Sequence, residues 1–284
     1  MSYFFIIRLF FVALKIKVQE SFMGRRILIA SGKGGVGKTT ISVGLGEALS
    51  RLGASVCVVD LDFDFNNLDV VAGIESKLVY SLADFCENKC LLKQTLIEYK
   101  RGLNLFFVLS SRACAKEEYY YKLREAIRKL SDVFDYVLMD APAGLSSGFY
   151  IGKEMATEVI MVVCPMHSSL KDSNALKNIL FSENLPAKIV VNKIRGDLVM
   201  LDKMLNVSQI EGLLGLECAG VVPYSDEFLI NNNTKSVAES SEEIKKAMHY
   251  IAENIHLNKN LRLDYCNKYK GIFGKIRAKI KRGA

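Results

Sequence analysis

Nine consecutive residues, Gly32-Lys33-Gly34-Gly35-Val36-Gly37-Lys38-Thr39-Thr40, have the composition and spacing of a loop that wraps a phosphate. Consecutive backbone N–H groups can converge on an anion only where side chains do not crowd them, which is why glycines recur here. Lys38 would bring an ammonium to the β- and γ-phosphates, and the Thr39 hydroxyl an oxygen ligand for Mg²⁺. An apolar run, Ile27–Ser31, precedes the loop and a helical pattern follows it. The helix adds its positive N-terminal end to the anion's environment.

Acidic residues follow two other apolar runs. Ser55–Val59 leads into Asp60-Leu61-Asp62, and Tyr136–Met139 into Asp140-Ala141-Pro142-Ala143-Gly144. A carboxylate at the C-terminal end of a parallel strand opens on the crevice where ligands bind. A single Asp in such a place can equally be a helix cap or turn residue, and Asp60 alone is open to that reading. Asn192-Lys193-Ile194-Arg195 also follows a strand-like run. It is like the N-K-x-D segment that reads guanine, but Arg195 stands where the guanine-pairing Asp would be, which favours ATP over GTP.

The elements that must position these residues can be read from periodicity. Strands are expected at Ile27–Ser31, Ser55–Asp60, Leu103–Leu109, Tyr136–Asp140, Val159–Cys164, Lys188–Asn192 and Gly220–Pro223. Helices are expected near 38–52, 78–87, 117–131, 148–156, 170–183, 201–213 and 240–255. The strands are continuous apolar runs, as strands buried on both faces are. The fold class is therefore α/β, a mostly parallel sheet with helices on both faces. One nucleotide-binding domain, residues 24–257, is the economical division of the 284 residues.

Composition narrows the class of protein. Half the residues are hydrophobic and only four are proline, so a large core can be buried. The cysteines at 57, 86, 90, 114, 164, 218 and 266 show no metal-ligand spacing, and their odd number argues against a disulfide framework. The net charge of +7 is located at one end: Tyr265–Ala284 holds seven Lys and Arg and no acid. The rest of the chain is formally neutral, so no basic nucleic-acid surface is expected on the core. The apolar run Tyr3–Leu14 is too short to span a bilayer and lacks the flanks of a signal peptide. Translation is expected to start at Met23, with residues 1–22 arising from a misplaced start.

The loop, with its second lysine at position 33, resembles the deviant Walker A family of P-loop ATPases. That family includes chromosome-partition ATPases, the nitrogenase iron protein and the septum-site-determining MinD group. The cysteines are badly placed for a cluster and the core is neutral, which leaves MinD-like proteins as the best resemblance. Asp60-Leu-Asp with Asn67-Leu68-Asp69, the run Asp140–Phe149, Asn104-Leu105 and Ser168–Ser173 all fit that group. Met166, Asp64 and the segment Asn233–Val237 with Lys235 depart from its pattern, at positions that touch partners in the family.

The resemblance implies an ATP-dependent sandwich homodimer in which Lys33 reaches the partner's nucleotide. It implies Asp140 as the Walker B acid holding Mg²⁺ through water, Asp62 orienting the attacking water, Asn192 reading adenine, and the segment at Pro223 covering the base. It also implies a MinC-like division inhibitor and a MinE-like activator as partners, no specific nucleic acid, and a cytoplasmic protein peripheral on the inner membrane face. An FlhG-like regulator of flagellar number and a ParA-type positioning ATPase are the alternatives, and a module that holds ATP without hydrolysing it is a third.

The C-terminal segment, 258–284, reads as a linker and an amphipathic helix. From Tyr269 to Arg282 the apolar residues fall at 269, 272, 273, 276 and 280, within an arc of about 100° on a helix. Such a helix is ~21 Å long, too short to cross a bilayer but suited to lying in its surface. Ile272, Phe273, Ile276 and Ile280 would insert, while the Lys and Arg side chains meet anionic headgroups. A solvated basic end or a nucleic-acid tail are the other readings, and the second does not require the aliphatic stripe.

Overall fold

The computed structural model describes residues 23–65, 67–225 and 241–270. Chain order is β1 (Arg25–Ala30), α1 (Lys38–Arg51), β2 (Val56–Asp60), α2 (Leu68–Ala72), α3 (Leu82–Cys86), β3 (Ile97–Glu98), β4 (Leu105–Val108), α4 (Tyr120–Ser131) and β5 (Tyr136–Asp140). There follow α5 (Ser147–Met155), β6 (Glu158–Val163), α6 (His167–Ser182), β7 (Ala187–Ile194), α7 (Gly196–Val199), α8 (Val207–Leu214), β8 (Cys218–Pro223) and α9 (Glu242–His256). The described strands form one sheet in the order β3-β4-β2-β5-β1-β6-β7-β8. All pairs are parallel except β3 with β4.

Alternation along each strand divides the core between two faces. Leu28, Ala30, Cys57 and Val59 pack on one face with Leu123 and Ile127 of α4, Phe149 of α5 and Leu176 of α6. Ile27, Ile29, Val56 and Val58 point the other way, onto Ile41, Leu45 and Leu49 of α1 and Met248 and Ile251 of α9. Both faces are covered, as the unbroken apolar runs require. Helix α1 lies very close to its neighbours: a Cβ at Gly44 would stand 2.9 Å from the Met248 sulfur, and one at Gly46 3.0 Å from a Val58 methyl.

The observed bounds differ from the expected ones for local reasons. Helix α3 begins at Leu82, not 78, because Ser81 and Asp84 close a capping box. Helix α8 begins at Val207 because the side-chain oxygens of Asn206 and Gln209 each accept the other's backbone N–H at 2.9 Å, a second capping box. Residues 117–119 form a 3₁₀ turn ahead of α4. The edge strand β3 and the short helices α2 and α7 were absent from the periodic reading, being too short to show a period.

Beyond α9 the chain is strapped to the core where a linker was expected. The Asn254 amide donates to the Ala219 and Leu261 carbonyls at 2.9 and 2.8 Å, and its oxygen accepts the Leu261 N–H at 2.7 Å. Arg262 forks onto Glu211 of α8 at 2.8 and 3.0 Å. At Gly196 a Cβ would stand 2.1 Å from the Tyr265 carbonyl, so glycine is required for this close approach. The expected membrane residues Ile272, Phe273, Ile276 and Ile280, the Asn233–Val237 segment and residues 1–22 lie outside the described residues. No helix among the described residues is long and apolar enough to cross a membrane.

Candidate functional site

The phosphate-loop candidate leaves the end of β1, the strand between β5 and β6, and enters α1 at Lys38. Gly35 and Gly37 hold left-handed conformations, with φ of +74° and +91°. At Gly32 a Cβ would fall 2.4 Å from the Asp172 backbone of α6, so the loop lies against that helix. Gly37 is the N-cap of α1, and no side chain caps that end. The first N–H groups of the helix are thus left for a ligand.

Register brings the acids to this loop. Asp60, Asp140 and Ile29 lie abreast on β2, β5 and β1. Lys38 is 8% exposed, and burial lowers its ammonium's pKa against the attraction of Asp140 and Asp62. Asp140 is buried beneath the loop, where desolvation pushes its pKa up to about 6 although Lys38 and the Thr39 and Ser42 hydroxyls favour the charged form. Ser42, one turn beyond Lys38, donates to the Asp140 Oδ1 at 2.8 Å. Asp62 lies in the turn after β2; its N–H donates to the Asp60 Oδ1 at 2.9 Å and its carboxylate accepts the Phe65 N–H at 3.2 Å.

Asp60 is deeper still. Burial and neighbouring Asp140 push its pKa well above the usual carboxylate range, and its Oδ2 finds no hydrogen-bond partner among the described residues. Two carboxylates and the Thr39 hydroxyl are the hard oxygen donors that suit Mg²⁺, which takes one or two carboxylates and completes its shell with phosphate oxygens and water. The donor set therefore fits a Mg²⁺–phosphate ligand.

The remaining expected residues stand around the same mouth. Lys33 donates to the Ser168 hydroxyl at 2.7 Å, at the start of α6. Within the loop Val36 is buried and Gly34 and Gly35 are exposed, and Thr40 is half-buried on the first turn of α1. Asn192, on β7, donates its amide to the Val36 carbonyl at 2.8 Å, while its oxygen accepts the Lys193 N–H at 2.9 Å. Its side chain is 6% exposed and lies against the loop. Pro223 ends β8 opposite Ile194, next to the Asn192 segment. Arg195 clasps Asp197 with contacts of 2.6 and 3.2 Å.

Ser42 and Lys193 belong to this site and were not assigned a role from sequence. Ser42 could have been found as the position four residues after Lys38, on the same helical face. Lys193 carried no signal beyond its neighbour Asn192.

The model of the CobQ/CobB/MinD/ParA nucleotide binding domain matches residues 27–237. The septum site-determining protein MinD of Synechocystis sp. is 31% identical over 263 residues, 91% of this chain and 99% of its own. The chain belongs to the MinD family. Its identity to the Bacillus subtilis MinD is 36% over 219 residues, covering 74% of this chain and 80% of that one. Among solved structures, the MinC:MinD cell division protein complex of Aquifex aeolicus superposes with a TM-score of 0.77 at 30% identity, covering 85% of this chain and 98% of that one. The MinD-family span contains every site residue from Lys33 to Pro223, so the loop, the strand-end acids and the β7 segment all fall within it.

Proposed function

We propose that this chain is a MinD-type ATPase, an ATP-dependent membrane switch that places the cell-division septum. The observation that carries the reading is the convergence of Lys38, Asp140 and Asp62 on an uncapped helix N-terminus behind a glycine loop. The N–H groups of Gly34 to Thr40 would bind the phosphates, and Lys38 would neutralise their charge. Mg²⁺, when bound, withdraws charge from the β- and γ-phosphate oxygens. Thr39 would hold it directly and Asp140 through water, with Ser42 fixing the rotamer of Asp140. Asp62, in the turn beside them, would orient a water for attack on the γ-phosphate.

Lys33 is the residue the single subunit does not use on its own loop. Its ammonium rests on an exposed serine hydroxyl, a bond weak enough to exchange for phosphate oxygens of a second subunit. Hydrolysis would then be slow in the monomer and depend on an ATP-dependent homodimer. Residues Ile272, Phe273, Ile276 and Ile280 of two paired tails would bind an anionic inner-membrane face by avidity, as one tail binds only marginally. The Aquifex MinD relative is solved with MinC, which supports a MinC-like inhibitor as the cargo of the membrane-bound dimer.

Light scattering with ATP or ADP tests the switch. Asp62→Ala should accumulate as a dimer with ATP, and Lys33→Ala should stay monomeric with either nucleotide. A Lys33→Ala protein that dimerises and hydrolyses ATP normally would remove the cross-subunit role.

A further inference from the structure

The phosphate loop is tied to β7 by two consecutive side chains acting on two consecutive carbonyls. The Lys193 ammonium donates to the Gly35 carbonyl at 2.6 Å, and the Asn192 amide donates to the Val36 carbonyl at 2.8 Å. A third tie lies at the loop's start, where the Ser31 hydroxyl donates to the Lys33 carbonyl at 2.8 Å. In a planar trans peptide the C=O and the N–H point in opposite directions. Drawing the Gly35 and Val36 carbonyls toward β7 therefore turns the N–H groups of Val36 and Gly37 away from it, toward the mouth of the loop. Successive N–H groups facing one way form an anion-binding nest.

The backbone at Lys193 is bent to allow this contact. The β7–β8 register breaks between Val191 and Ile194, and Lys193 takes a φ of +58°. Among the described residues, the non-glycine positions of positive φ are Asn88, Asn184, Lys193, Asp202 and Asn258. Four are the Asn or Asp that tolerate this conformation, and Lys193 is the exception. A residue selected for the turn alone would be Asn or Gly. The lysine is kept at a conformational cost, and the contact its ammonium makes is with the loop.

We propose that Lys193 is a positioning residue of the phosphate site, holding the Gly35 peptide so that the Val36 N–H faces the phosphate before ligand arrives. Its assigned role is through the loop, by the bond to the Gly35 carbonyl, and not by contact with nucleotide or metal. Asn192 does the same for the next peptide, and a Cβ at Gly37 would meet its amide nitrogen at 2.5 Å. The inference rests on the reading of this loop as a nucleotide site.

The test is fluorescent-nucleotide binding by the full chain, with ADP and ATP analogues, beside its melting temperature without nucleotide. Lys193→Asn suits the positive φ but cannot reach Gly35, so its melting temperature should be unchanged or raised. Its affinity for both nucleotides should fall about tenfold, the loss expected of one charge-assisted hydrogen bond. Lys193→Arg, which keeps a cationic donor, should recover most of the affinity. Wild-type affinity in Lys193→Asn would overturn the inference and leave the nucleotide reading intact. A loss confined to ATP would overturn it too, since that marks a contact to the γ-phosphate. Failure of the wild-type protein to bind either nucleotide would overturn the nucleotide reading itself.

Discussion

Replacing Asp140 by Asn should stabilise the ligand-free protein while abolishing its Mg²⁺-dependent activity. Asp140 is 2% exposed, and desolvation raises its pKa from 3.8 to about 6. A folded-state pKa above the unfolded one means that the native protein binds this proton more tightly. The group's stabilising contribution is therefore fully present below about pH 4 and is lost as pH rises through about 6. A shift of roughly two units corresponds to about 3 kcal/mol at pH 7. Asn removes that cost and keeps an acceptor for Ser42, and the attraction to Lys38 is already contained in the net shift. A gain of up to about 3 kcal/mol is expected, equivalent to roughly 6–12 °C in melting temperature for a domain of this size. Thermal melts in chelator without nucleotide, from pH 4 to 8, should show the variant ahead above pH 6 and level with wild type near pH 4. A pH-independent gap, or a variant less stable at pH 7, would refute the claim that this carboxylate is held against its own solvation.

The other expectations concern single contacts. Lys38→Ala should abolish nucleotide binding in an equilibrium titration, because no second cation is buried beside Asp140 and Asp62 among the described residues. Asp62→Ala should bind nucleotide normally and lose at least about a hundredfold in phosphate release, the usual span of a water-orienting acid or base. Asn254→Ala breaks three bonds between α9, β8 and the C-terminal strap. It should cost about 2–4 kcal/mol and expose the chain after Leu257 to limited proteolysis; unchanged cleavage would show that the Arg262–Glu211 pair and the Gly196–Tyr265 approach fix the strap without it.

The central strands and the loop were legible because each carries its own signal. Tyr136–Asp140 is an unbroken apolar run closed by an acid, and its observed bounds are the expected ones. Gly32–Thr40 is specified by spacing alone. What escaped was set by tertiary contact. The two-residue β3 exists because β4 offers it an edge at Ile97 and Glu98. Residues 261–268 had no period of their own and are placed by Asn254, Glu211 and Gly196. The Asn192 amide's bond to the Val36 carbonyl, beside the register break of β7, is likewise a tertiary contact that no sequence pattern announces. Ser42 was hidden for the opposite reason, since a serine inside a helix looks ordinary until Asp140 is seen 2.8 Å away.

Co-sedimentation with anionic liposomes, in ATP or in ADP, tests the proposed switch most directly. Protein starting at Met23 should pellet with ATP and remain in the supernatant with ADP, and Ile276→Glu should remain there with both while binding nucleotide normally. Equal pelleting in the two nucleotides, or none in either, would contradict a membrane cycle driven by ATP.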